Sequence, residues 1–219
     1  MRPFSIGLVL IAISFLTRAS TVVFDQSPPN DNATDFVNFR LADDFALSSA
    51  TLVDGIDFWY SAQNQSDLSS VTYAIYSNSA GSLGSLLFTG TLTPATSYDS
   101  IDNTFFAALT VPDLSLASGT YWLELHGGAS LTDDNGTITV WWDSAADNAT
   151  YMALQGPDTS ALPNQPITFS GSEQQAFQID GTLVSATVPE PSSVLLAACG
   201  LSALIFKRKS GTSNRATIN

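Results

Sequence analysis

The sequence predicts an all-β fold: two antiparallel sheets packed as a β-sandwich, of the jelly-roll or immunoglobulin-like kind. Three observations carry this expectation. From Thr21 onward the apolar residues do not recur at helical spacing. Short runs rich in Val, Ile, Thr and aromatic residues recur instead, and Gly, Asn, Asp, Ser and Pro separate them. No repeat of fixed period is present, which counts against a propeller or β-helix. About ten short strands without intervening helices favour two packed sheets, with a closed barrel as the alternative. At 219 residues the chain has room for one such domain plus accessory segments.

The first accessory segment is residues 1–19. Arg2 supplies a positive start, and residues 6–16 are apolar or small apart from Ser14. That stretch suits the core of a signal peptide and is too short to span a bilayer. Thr17 and Ala19 place small residues at −3 and −1, so cleavage is expected after Ala19. The domain that follows would then be exported.

Residues 20–187 form the predicted sandwich. Its clearest strand runs are 53–60, 71–77, 86–93, 104–111, 120–126, 137–143 and 175–181, with weaker ones at 36–41, 151–154 and 167–170. Ser118-Gly119 and Asp134-Asn135-Gly136 are turn signals placed just before two of them. The domain carries seventeen Asp and two Glu against one basic side chain, Arg40, with no Lys. Such a surface repels nucleic acid and anionic lipid. The only cysteine, Cys199, lies beyond this domain, which therefore has no thiol or disulfide chemistry.

Strand alternation gives the candidate ligand face. Residues i and i+2 share one side of a strand, and one face of an antiparallel sheet is usually solvated. In 120–126, Tyr121, Leu123 and Leu125 read as the dry face, which turns Trp122, Glu124 and His126 outward. In 137–143, Ile138, Val140 and Trp142 are dry, leaving Thr139, Trp141 and Asp143 outward. In 53–60, Ile56, Phe58 and Tyr60 are dry, leaving Asp57 and Trp59 outward. Three strands thus each place a Trp beside a carboxylate on the polar side. An exposed Trp leaves a large apolar ring in water. Stacking on the C–H face of a sugar is one reason to tolerate it, and a neighbouring carboxylate can accept hydroxyl hydrogen bonds. Coverage of the three rings by loops or by the other sheet is the competing reading.

Other chemistry is thinner. His126 is the only histidine, so histidine metal clusters and Ser-His-Asp catalysis would both have to use it; a solvated side chain is the expectation. A glycosidase-type carboxylate pair is defined by spatial separation, which the sequence does not supply. No catalytic residue is assigned. Asp43, Asp44, Asp133 and Asp134 make two oxygen-rich clusters in or near expected loops and are the candidate ligands for a structural calcium ion. No other cofactor is indicated. Sequons occur at Asn32, Asn64, Asn135 and Asn148.

The second accessory segment is residues 188–209. Pro189 and Pro191 impose an extended backbone where the strand pattern stops. Residues 192–206 then form an apolar helix of about 22 Å, short for a bilayer core of roughly 30 Å. Lys207, Arg208 and Lys209 follow at once, and they can snorkel to extend the span. Positive residues stay on the cytoplasmic side, so this single transmembrane helix and the leader agree that the acidic domain lies outside. Residues 210–219 are a polar cytoplasmic tail.

The Val188-Pro189-Glu190-Pro191 segment, the short apolar helix and the basic cluster together resemble the PEP-CTERM family of exported bacterial proteins. The resemblance covers about thirty residues and implies transient inner-membrane anchoring, recognition of the Pro-Glu-Pro segment by an integral-membrane exosortase, removal of the tail, and release to the cell envelope or beyond. The polar extension 210–219 is longer than the family's usual basic ending. Residues 42–45, 53–59 and 119–123 also look like sandwich domains carried by such proteins. The expected function is a non-enzymatic surface or extracellular-matrix component that binds polysaccharide through Trp59, Trp122 and Trp141 with Asp57, Glu124 and Asp143. The alternatives are a purely structural or adhesive surface protein, and a secreted carbohydrate-active hydrolase.

Overall fold

The computed structural model describes residues 19–133, 139–145, 151–157, 162–167 and 174–184. The leader up to residue 18, the sorting segment 188–209 with its helix and stop-transfer residues, and the tail 210–219 lie outside the described residues. So do Asp134, Asn135 and Asn148. Among the described residues no helix is long and apolar enough to cross a membrane.

The described chain is all β. In order its strands are β1 (Thr21–Gln26), β2 (Pro29–Asp35), β3 (Phe39–Leu47), β4 (Thr51–Ser61), β5 (Val71–Asn78), β6 (Leu83–Leu92) and β7 (Ala95–Asp99). Then follow β8 (Thr104–Leu116), β9 (Gly119–Gly127), β10 (Trp141–Ala145), β11 (Leu154–Pro157), β12 (Gln165–Pro166), β13 (Gln174–Gln175) and β14 (Phe177–Leu183). They make two antiparallel sheets. Sheet A has eight strands built around β4, which pairs with β8 on one side and with β14 and β10 along the other. β1 extends the sheet beyond β14, β7 beyond β8, and β2 beyond β10. Sheet B has six strands in the order β12-β11-β3-β9-β5-β6.

One hydrophobic core joins the sheets. Sheet B contributes Leu41, Phe45, Tyr73, Ile75, Leu123 and Leu125, and sheet A contributes Val53, Ile56, Phe58, Tyr60, Trp142, Phe177 and Ile179. Alternation explains most of this set, with Ile56, Phe58 and Tyr60, Tyr73 and Ile75, Leu123 and Leu125, and Phe177 and Ile179 each two positions apart, while a bulge after Val53 shifts that residue onto the same face. Aromatic edges meet aromatic faces inside, as where Phe58 and Phe177 lie 6.2 and 5.8 Å from Trp142.

The strand expectations hold for β4, β5, β6, β8 and β9, whose branched and aromatic runs are long. Three strands were not anticipated. β2 reads Pro-Asn-Asp-Asn-Ala-Thr-Asp, a turn composition, yet its backbone pairs with β10. β1 is a short edge piece whose partner, β14, lies at the other end of the domain, and β7 is a five-residue edge piece folded back on the next strand, β8. Asp43 and Asp44, expected in or near a loop, stand in the middle of β3 and are fully buried. The run expected at 137–143 is displaced, since the strand there begins at Trp141 and continues to Ala145.

Candidate functional site

On sheet B the alternation is as expected, but the exposure is not. Leu123 and Leu125 of β9 enter the core, so Trp122, Glu124 and His126 point to the opposite face. All three are nevertheless at 0% exposure. The chain itself covers them: Tyr151 lies nearly parallel over Trp122, ring centres 5.9 Å apart, and Leu83, Leu131 and Leu154 close around it. The Trp122 indole donates to Asn78 Oδ1 at 3.1 Å. Tyr151 is tied down through its N–H to Asp44 Oδ1 at 2.9 Å and its carbonyl to Gln174 Nε2 at 2.7 Å. This second small core corrects the expectation of an exposed Trp122, and the 0% exposure of His126 corrects the expectation that it is solvated.

Glu124 has a specific partner. Arg40, on the same face of neighbouring β3, donates Nε to Glu124 Oε1 at 2.5 Å and Nη2 to Oε2 at 2.9 Å. The Tyr76 hydroxyl donates to Oε2 at 2.7 Å. Burial pulls the Arg40 pKa down, but the hydrogen bond and charge of Glu124, with help from Tyr76, outweigh it, so Arg40 titrates above its ordinary value. Burial, then the Glu124 charge, pushes the Tyr76 phenol up. This fork-shaped pair occupies the domain's one basic side chain.

On sheet A, Trp59, Asp57, Trp141 and Asp143 do share the outer face. Trp141 stands opposite Ser61, two residues along β4 from Trp59, which makes the two rings diagonal neighbours. They do not form an exposed platform. Trp59 is 7% exposed, packed edge-on against Phe106 at 5.3 Å and beside Ala145 and Ala176. Its indole donates to Asp99 Oδ2 at 3.2 Å. That bond, after the stronger one from the Ile101 N–H, holds the Asp99 carboxyl below its usual range. Asp143 is 4% exposed, accepting from Ser61 Oγ at 2.7 Å and from Thr104 Oγ1. Trp141 alone of the three keeps partial exposure. The three tryptophans therefore divide between opposite faces of the molecule, with two of them buried.

The carboxylate that remains open is Asp57, and it has company that the alternation did not identify. β14 runs beside β4 with Asp180 opposite Gly55 and Gln178 opposite Asp57, so Asp57 and Asp180 are diagonal neighbours on the outer face. A Cβ at Gly55 would sit 2.9 Å from that of Asp180, so only glycine leaves the side chain this path. Asp54 stands at the bulge next to Gly55 and accepts from Ser20 Oγ at 2.5 Å. Together they line a groove of about 430 Å³ floored by Ala108, Leu109 and Thr110.

Burial raises the Asp57 pKa to about 7, with the Asp180 charge and a shared hydrogen bond adding to it. Burial and the Asp54 charge raise Asp180 as well. Burial and the neighbouring carboxylate charges thus both favour the protonated form here, at Asp57 most of all.

The calcium candidates also separate. Asp43 and Asp44 lie within β3, whereas Asp133 accepts from the Ala129 N–H at 3.0 Å in the loop after β9. Among the described residues no group of three or more His, Cys, Asp or Glu side chains is arranged to hold a metal ion. Compared with protein-family models, curated proteins and solved structures, the chain matches none.

Proposed function

We propose that this chain is an exported, non-enzymatic structural module of the bacterial cell surface or extracellular matrix. Residues 1–19 deliver it, the Pro189-Glu190-Pro191 tail anchors it in the inner membrane, and an exosortase-type enzyme releases it. Its body is read as a β-sandwich of the jelly-roll or immunoglobulin-like kind. One observation carries the structural reading: side chains suited to ligand contact close the domain instead. Trp122 and Glu124 have no solvent contact, Trp59 has little, and Arg40 is engaged by Glu124. The exterior is left acidic without a basic patch, which favours solubility and repels anionic polymers.

A glycan-binding version has one observation in its favour. Trp141 keeps partial exposure on the same sheet face as Asp57 and the groove beside it. Retention of the protein on exopolysaccharide or a glycan array separates the two readings. Specific retention at moderate salt that disappears in Trp141→Ala would replace the structural reading, and no retention supports it. Mass spectrometry of the exported protein tests the route. A C-terminus near Pro191 is expected, and one still ending at Asn219 would sink the sorting step.

A further inference from the structure

β6 is the outermost strand of sheet B, and β5 is its one sheet partner. None of its ten residues is buried, whereas the first six of β5 all are. Backbone N–H and C=O groups point alternately to the two sides of a strand, so half of those in β6 turn away from β5. Among the described residues no further strand meets them.

Natural sheets guard such edges with charge, proline or short length. The other terminal strands here are guarded. β1 carries Asp25, β2 carries Asp31 and Asp35, β7 ends on Asp99, and β12 and β13 are two residues long. β6 has no charge and no proline, and the sequence carries no charged residue from Leu68 to Tyr98. A bulge interrupts its first half, where Leu87 falls between the pairs Ile75–Phe88 and Tyr76–Leu86. Beyond the bulge, Phe88 to Leu92 keep unbroken register with β5.

That regular stretch reads Phe-Thr-Gly-Thr-Leu, which is symmetric in chemistry about Gly90. Phe88 and Leu92 pack against the core, while Thr89 and Thr91 are exposed on the opposite face. When the strand is laid antiparallel against itself about a twofold axis at Gly90, Thr89 meets Thr91 of the second copy. Phe88 then meets the second copy's Leu92. Threonine pairs and apolar pairs directly opposite each other stabilise an antiparallel ladder. Charge selects the same occupant. The domain's seventeen Asp and two Glu against one Arg make copies repel across most of their surface. An uncharged edge is where they approach at least cost, whereas a basic partner is drawn to the acidic faces instead.

We propose that β6 is a self-association edge, through which two copies of this chain pair antiparallel along Phe88 to Leu92. Their B sheets join into one continuous sheet with six strands from each copy. The contact is isologous and closes on itself, so it makes a dimer and not a fibre. Leu86 and Leu87, both exposed, come to lie beside the end of the second copy's strand.

The test is amide hydrogen exchange and sedimentation of the full-length chain in mild detergent, over a concentration series reaching the millimolar range. A dimer is expected, tighter at high salt because screening weakens the repulsion between acidic bodies. Amides within 88–92 should gain protection as it forms. Thr89→Asp with Thr91→Asp puts carboxylates face to face in two symmetric pairs and should weaken association by roughly tenfold or more. Mixing that variant with one carrying Thr89→Lys and Thr91→Lys should give a mixed dimer tighter than either variant forms alone. Val22→Asp, at an exposed position on the β1 edge of sheet A, should change nothing. A chain that stays monomeric overturns the proposal, as does a dimer untouched by the threonine changes. Protection of 88–92 that does not vary with concentration overturns it too, since the chain itself would then cover the edge. The wild-type exchange series decides the matter if the charged variants do not fold.

Discussion

On the outer face of sheet B, Trp122 and Glu124 lie beneath Tyr151 and beside Arg40, out of contact with water. On the outer face of sheet A, Trp141 and Asp57 keep part of theirs, although the same spacing of Trp and carboxylate puts them there. Strand alternation chose the face in both cases. What differs is the cover. A segment returning past Tyr151 and Leu154 seals sheet B, and an arginine stands within reach of its carboxylate. Among the described residues no basic side chain lines the sheet A groove, and Asp57, buried beside Asp180, has its pKa raised instead. A carboxylate met by a guanidinium becomes part of the core, whereas one met by another carboxylate becomes sensitive to pH.

The sharpest way to break this contrast is to remove one partner of the buried pair. Glu124→Ala leaves Arg40 charged and buried, and a loss of about 3–5 kcal/mol in urea unfolding is expected. Arg40→Met combined with Glu124→Leu should recover most of it, since no uncompensated charge remains. If the single change costs under about 1 kcal/mol, the sheet B face is not closed as described.

Stripping the cover has a smaller effect. Tyr151→Ala removes the ring over Trp122 and should cost about 1.5–3 kcal/mol. It should also make Trp122 accessible to acrylamide quenching, which the wild-type burial prevents. Unchanged quenching would show that Tyr151 is not the shield.

The sheet A face should be read out by pH. Asp57 releases its proton near pH 3.8 when unfolded and near 7 when folded. Across that window the folded state holds the extra proton, so stability falls as pH rises from about 4 to 7. Burial, with the Asp44 charge, raises Asp43 also and acts in the same direction. Tm at pH 5 should therefore exceed Tm at pH 7.5, and Asp57→Asn should reduce that difference. A Tm that rises with pH would contradict the raised Asp57 pKa. The smallest change is expected from Asp54→Asn, a gain within about 0.5 kcal/mol from relieving its repulsion of Asp180.

Legibility followed chain length and partner distance. β4, β5 and β9 were readable because their own residues carry the branched, aromatic and alternating pattern. β2 was not, because Pro-Asn-Asp-Asn-Ala-Thr-Asp has no strand composition and takes its conformation from β10. Arg40 was visible as the lone cation among nineteen carboxylates, but not which of them it would meet. The place of Asp180 was hidden for the same reason: it depends on which strand lies alongside.

By itself the sequence determined the class of fold and the face each strand residue takes, because a period of two is a local property of the extended backbone. It also determined the charge of the domain, which follows from composition alone. Tertiary structure decided whether a face meets water, which carboxylate meets the arginine and which meets another carboxylate. Those outcomes rest on contacts between residues far apart in the chain, and no local pattern encodes what will lie on top of it.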